Sequence, residues 1–178
     1  AKGMPNALAV VAMAEAGSLL NAPDAYMDKI ALGGNYSDDI VDLDATPEEN
    51  VKAVAKAKGV GVELINVCIL DRPRHADMIA QVRECGARVT LITDGDIAGV
   101  IHTTDPSTGI DLYIGTGGAP EGVLAAAALR CTGGQMQGRL VLNGDDKKER
   151  ARKMGITDFD HKYEVDEMAK GEVVLSAT

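Results

Sequence analysis

From Thr46 onward the chain alternates two kinds of segment, and no other feature restricts its possible folds as strongly. The runs "VELINVCIL", "ARVTLIT", "IDLYIG", "GRLVLN" and "GEVVLSAT" are rich in Val, Ile and Leu with little polar alternation. Such runs read as strands buried on both faces. Between them lie "HADMIAQVREC", with Met78, Ile79 and Val82 on one side, then "DIAGVIH", "PEGVLAAAALRC" and "DDKKERARKMG", all helical in pattern. Ahead of the series, "TPEENVKAVAKAKG" carries a full set of helix punctuation. Thr46 can cap it, Pro47 suits its first turn, Glu49 can complete a capping box, and Gly59 stops it. The fold class expected is α/β: a layered, mixed or mainly parallel sheet with helices on both faces.

The first part of the chain is less regular. Ala7–Ala14 and Ser18–Asn21 flank a Glu-Ala-Gly turn and suggest a two-stranded hairpin, and the acidic "GGNYSDDIVDLDAT" reads as loop. With no linker or internal repeat, residues 1–178 are expected to form a single α/β body. A core is available to it, but with no Trp, one Phe and four Tyr that core must rest on aliphatic residues. The chain begins at Ala1 and its last strand candidate runs out without a turn, so a piece of a longer protein is expected.

A net charge of −9 argues against nucleic acid or an anionic membrane as partner. No run is long enough to span a bilayer, and no signal-peptide pattern opens the chain. Cys68, Cys85 and Cys131 are odd in number and sit in apolar surroundings, so they read as reduced core thiols of a cytoplasmic protein.

Ligands of α/β sheets collect beyond the carboxyl ends of the strands, and three polar turns fall there. In "CILDRPRHAD", Arg72 and Arg74 bracket Pro73, and two guanidiniums at that spacing can clamp a dianion; they could equally be surface arginines bridged to Asp71 and Asp77. In "LITDGDIAG", Asp94 and Asp96 flank Gly95 and could accept from sugar hydroxyls or hold a hard cation through water, or simply make a turn and helix cap. In "IGTGGAPEGVLAAAALRC", Gly115, Gly117 and Gly118 could form a backbone nest, followed by a lone carboxylate, Glu121, in the first helical turn. Neither a dinucleotide fingerprint nor a Walker A loop fits that stretch. Tyr26 follows a Pro-Asp turn and would project its hydroxyl from a loop, and His75, His102 and His161 read as structural or solvent-facing.

The segments "AKGMPNALAV", "NAPDAYMDKI", "DRPRH", "LITDGDIAG" and above all "GGAPEGVLAAAALRCTGGQMQGRL" closely resemble class II fructose-1,6-bisphosphatases over essentially the whole chain. The resemblance implies a metal-dependent, cytoplasmic bacterial enzyme. It would release the 1-phosphate of fructose 1,6-bisphosphate, with a fold related to the lithium-sensitive inositol phosphatases. Some cyanobacterial relatives also act on sedoheptulose 1,7-bisphosphate. It further implies Glu121 as a ligand of Mn²⁺ or Mg²⁺. Tyr26, Arg72, Pro73, Arg74, Asp94, Gly95, Asp96 and Gly118 would be substrate-binding, and the assembly a homo-oligomer.

The family's Asp-Pro-x-(Asp/Glu)-Gly-Thr metal motif is absent from this sequence. An incomplete, inactive central-to-C-terminal part with no catalytic residue of its own is therefore expected. The competing readings are a non-catalytic sugar-phosphate-binding module, an inositol or sugar-monophosphate phosphatase, and a purely structural domain.

Overall fold

The computed structural model describes residues 8–34, 36–37 and 39–178. Its strands are β1 (Val10–Ala14), β2 (Tyr26–Leu32), β3 (Asn66–Leu70), β4 (Arg88–Ile92), β5 (Leu112–Gly118), β6 (Gln135–Val141), β7 (Tyr163–Glu164) and β8 (Val173–Ala177). Its α-helices are α1 (Pro47–Lys58), α2 (Ala76–Glu84), α3 (Asp96–His102), α4 (Ala119–Thr132), α5 (Asp145–Lys153) and α6 (Val165–Met168). Six strands form one mixed sheet in the order β4-β3-β5-β2-β6-β7, with β3 parallel to β4 and β5, and β2 antiparallel to β5 and β6. The alternation in the sequence thus maps onto a mixed sheet flanked by helices, except that β8 pairs with β1 outside that sheet and that β4 and β8 are partly exposed rather than buried on both faces.

Local chemistry explains α1 completely. Thr46 accepts from the amide of Glu49, the Glu49 side chain reaches back to Thr46, and Gly59 ends the helix in the left-handed region. Its buried Val51, Val54 and Ala55 pack with Ile79 and Val82 of α2 against Ile30 and Leu32 of β2. Met27 and Ala31 of the same strand point the other way, into a second cluster with Val100 of α3 and Ala125, Ala126 and Leu129 of α4. Side chains alternate across a strand, so α1 and α2 cover one face and α3 and α4 the other.

α4 is apolar nearly all round because it is sandwiched, with the main sheet on one side and a small β1–β8 ribbon on the other. Gly122 lets it sit hard on β2, where a Cβ would fall 2.5 Å from the sulfur of Met27.

Four local expectations are corrected. β1 pairs antiparallel with β8, at the other end of the described chain; around Ser18–Asn21 the only pairing is a single bridge between Leu19 and Ala169, and Ala7 lies outside the described residues. The ribbon forms because Ala12, Val173 and Leu175 can bury against the α4 side of the core, which a local hairpin could not offer. Tyr26 does not project from a loop but opens β2, an unexpected central strand. Val62–Leu64 is a 3₁₀ turn, and β3 begins only at Asn66. Of the three cysteines, Cys68 is buried, Cys85 is half-buried and Cys131 is exposed.

Candidate functional site

Because β3, β4 and β5 run parallel, their carboxyl ends share one end of the sheet. The antiparallel β2 brings its first residue to that same end, with Tyr26 opposite Gly118. Four segments distant in sequence are therefore neighbours there.

The turn after β3 is stiff. Arg72 is extended, as a residue before proline must be, and Pro73–His75 forms a 3₁₀ turn leading into α2. Arg72 donates from Nη1 to the carbonyl of Asp71 at 2.9 Å. Arg74 donates from Nε and Nη2 to the Thr116 carbonyl of β5, at 3.1 and 2.6 Å. Its guanidinium also lies 4.9 Å from the ring centre of Tyr26, whose side chain is 48% exposed. Two backbone-anchored N–H groups and an aromatic face fix this arginine while the rest of its fork meets solvent.

The turn after β4 lies beside the first, since the Asp71 amide donates to the Ile92 carbonyl. Gly95 adopts φ 83°, a left-handed conformation that favours glycine. Asp94 is exposed and accepts from the Gly95 amide. Asp96 differs sharply. It is 8% exposed, and its Oδ2 accepts from Nζ of Lys29 at 2.5 Å while its Oδ1 accepts from the amide of Ile97. The structure therefore separates the acidic pair, leaving Asp94 open to solvent and holding Asp96 inside.

Gly115, Gly117 and Gly118 do not form a nest. They are strand residues of β5, paired with Lys29, Met27 and Tyr26, and none has positive φ. What they supply is room. A Cβ on Gly117 would collide with Oδ2 of Asp96 and approach Lys29 Nζ to 3.1 Å, and one on Gly118 would collide with the Glu121 carboxylate. Glu121 itself is exposed in the first turn of α4.

Lys29, Asp28 and Thr116 were not singled out from sequence, and all three belong to this region together with His75. Lys29 is 1% exposed on the α4 side of β2. Burial pushes its ammonium pKa down; the charges of Asp96 and Glu121 oppose that, and Arg74 adds to it. Asp28, on the opposite face, accepts from the Thr116 hydroxyl at 2.5 Å. The available signal was a lone Lys at alternating spacing within "YMDKIAL". His75 is 1% exposed, so of its two readings the structural one holds. Burial raises the Cys68 thiol to about 11, so it is an inert core group.

No three His, Cys, Asp or Glu side chains cluster as a metal site among the described residues. Glu121 is one open carboxylate and Asp96 is already neutralised by Lys29, so these residues do not by themselves fit a divalent cation. A cavity of about 570 Å³ lies at the far end of α4, ~12–18 Å from Glu121 by helical rise. Arg130 pairs there with Asp166 and Gln137 with Glu164, whereas Arg74 and Glu121 at the other end are both exposed.

The family model described as bacterial fructose-1,6-bisphosphatase, glpX-encoded, matches residues 1–178. Among similar proteins is one from Synechococcus sp. (strain JA-3-3Ab), 41% identical over 99% of this chain and 54% of its own length. Another comes from Trichodesmium erythraeum (strain IMS101), 40% identical with the same coverage. Both are named D-fructose 1,6-bisphosphatase class 2/sedoheptulose 1,7-bisphosphatase. The chain thus spans about half the length of the curated relatives it matches.

Proposed function

This chain belongs to the glpX-encoded bacterial fructose-1,6-bisphosphatase family, and from that membership we propose that it forms the substrate-gripping part of a metal-dependent sugar-bisphosphate phosphatase. The reaction is hydrolysis of the 1-phosphate of fructose 1,6-bisphosphate to fructose 6-phosphate, on an inositol-phosphatase-like fold. The observation that carries this reading is Arg74, locked between Tyr26 and Thr116 at the sheet end that also presents Arg72, Asp94 and Glu121.

In this reading Arg72 and Arg74 hold the phosphate that does not react, and that remote binding positions the one that does. Asp94 accepts from a sugar hydroxyl. Gly95 shapes that turn, and Gly118 keeps side chains off the substrate. Asp96, saturated by Lys29, shapes the turn from beneath rather than touching sugar through a free carboxylate. Glu121 would serve as one ligand of Mg²⁺ or Mn²⁺, with the remaining ligands outside the described residues, and such an ion would supply charge neutralisation and an activated water. The present residues alone therefore release no phosphate, and any turnover by residues 1–178 in isolation refutes this division of labour.

The direct test is phosphate release from fructose 1,6-bisphosphate by the whole protein with added Mg²⁺ or Mn²⁺, against fructose 6-phosphate as control. Arg74→Ala should raise KM by roughly 10- to 100-fold, the loss of a charge-assisted contact, and lower kcat by a smaller factor, the loss of positioning. An unchanged KM removes the clamp. The names of the relatives favour sedoheptulose 1,7-bisphosphate as a second substrate, and the same assay decides it.

A further inference from the structure

We propose that His75 is the positioning residue of the arginine clamp, acting through the backbone of Thr116; the inference rests on the reading of Arg74 as a phosphate ligand. His75 follows Arg74 directly, yet its ring is turned inward and 1% exposed. One ring nitrogen, Nδ1, lies 2.8 Å from the Leu70 carbonyl, and the other, Nε2, lies 2.9 Å from the Thr116 amide. An amide can only donate and a carbonyl can only accept, so Nε2 must accept and Nδ1 must carry the proton. The partners thus fix one neutral tautomer.

That ring is the link between two strands. Leu70 ends β3, where the Arg72-Pro73-Arg74 turn begins, and Thr116 lies near the end of β5. The same Thr116 accepts Arg74 through its carbonyl and donates its hydroxyl to Asp28 of β2. Both backbone polar groups of Thr116 are therefore committed to the clamp turn, one to His75 and one to Arg74. The space for the ring comes from Gly115, where a Cβ would stand 3.3 Å from Cε1 of His75. With both nitrogens engaged and no exposed surface, His75 has no free atom to offer a substrate. Its effect passes through Arg74.

Two substitutions separate this role from simple anchoring. Glutamine places its amide near the position of Nε2 and can keep the Thr116 contact; asparagine reaches only the position of Nδ1 and keeps Leu70. Calorimetric titration of the whole protein with fructose 1,6-bisphosphate should show His75→Gln near the unaltered affinity and His75→Asn weakened about tenfold, one lost hydrogen bond's worth. In a cycle with Arg74→Ala, the asparagine change should add little further loss. Equal affinities for both variants, or fully additive losses in the cycle, overturn the proposal while leaving the clamp standing. Absence of bisphosphate binding by the unaltered protein removes the clamp, and this proposal with it. If His75→Asn does not fold, His75→Gln decides alone. Below pH 6.5 its affinity should fall less steeply than that of the unaltered protein, because protonation of the ring sets N–H against N–H at Thr116. The charged and titratable groups around the ring are Arg72 and Arg74 on its own turn, Asp28 on β2 and Tyr113 on β5. Parallel curves overturn the proposal.

Discussion

The helices α1 and α4 both have a proline in the first turn and a glutamate at the third position, yet they use that glutamate in opposite ways. At α1, Glu49 accepts from the Thr46 amide and Thr46 accepts from the Glu49 amide, so the carboxylate is consumed in closing the helix. That backbone hydrogen bond holds the Glu49 carboxyl below its ordinary pKa. At α4 the capping position is Gly118, which makes no side-chain bond and leaves the space into which the Glu121 carboxylate folds. Glycine in place of a serine or threonine cap costs only a few tenths of a kcal/mol, so α4 gives up little stability to present a free anion. One helix start consumes its glutamate in closing the helix, and the other leaves it open to solvent.

The sharpest challenge to that division is Lys29, which lies beneath the α4 start and serves both ends. Lys29→Met leaves Asp96 as a buried unpaired carboxylate and should lower unfolding free energy by about 3–5 kcal/mol in a denaturant titration. Adding Asp96→Leu should recover much of that loss. Next in size, Glu121→Ala should cut kcat of the whole protein by at least about a hundredfold while leaving the melting midpoint unmoved. A large drop in stability there would make Glu121 another Glu49.

Thr46→Ala should do the converse, costing about 1 kcal/mol of stability with kcat and KM unchanged. The smallest effect concerns acid. Burial, aided by the two arginines, lowers the His75 pKa from its ordinary 6.5, so the folded chain binds its proton later than the unfolded one. Its contribution to stability is therefore complete above pH 6.5 and is lost as pH falls from there through the depressed folded value. Thermal scans of His75→Gln should show a shallower acid limb than the unaltered protein.

The contrast also explains what could be read in the letters. α1 was legible in full because Thr46, Pro47, Glu49 and Gly59 act within a few residues of one another. The turns carrying Arg72, Arg74, Asp94 and Glu121 were legible because strand ends and their punctuation are local. β2 was hidden because Asp28 and Lys29 break its apolar run, and their partners, Thr116 and Asp96, are remote in sequence. Distance in the chain likewise hid the β1–β8 pairing, since neighbouring segments offered a plausible but wrong mate for β1. The glycines of β5 misled for another reason: glycine marks both turned backbone and strands that something else must approach closely, and here the second use prevails.

The placing of β2 has a consequence for biosynthesis. Leu32 pairs with Leu112 on one side and Gln135 on the other, so this strand leaves the ribosome long before either mate has been translated. Until β6 emerges, a nascent chain carries β2 with at least one bare hydrogen-bonding edge. Synthesis of this sheet therefore passes through a stage in which the backbone of residues 26–32 waits for partners that are translated much later.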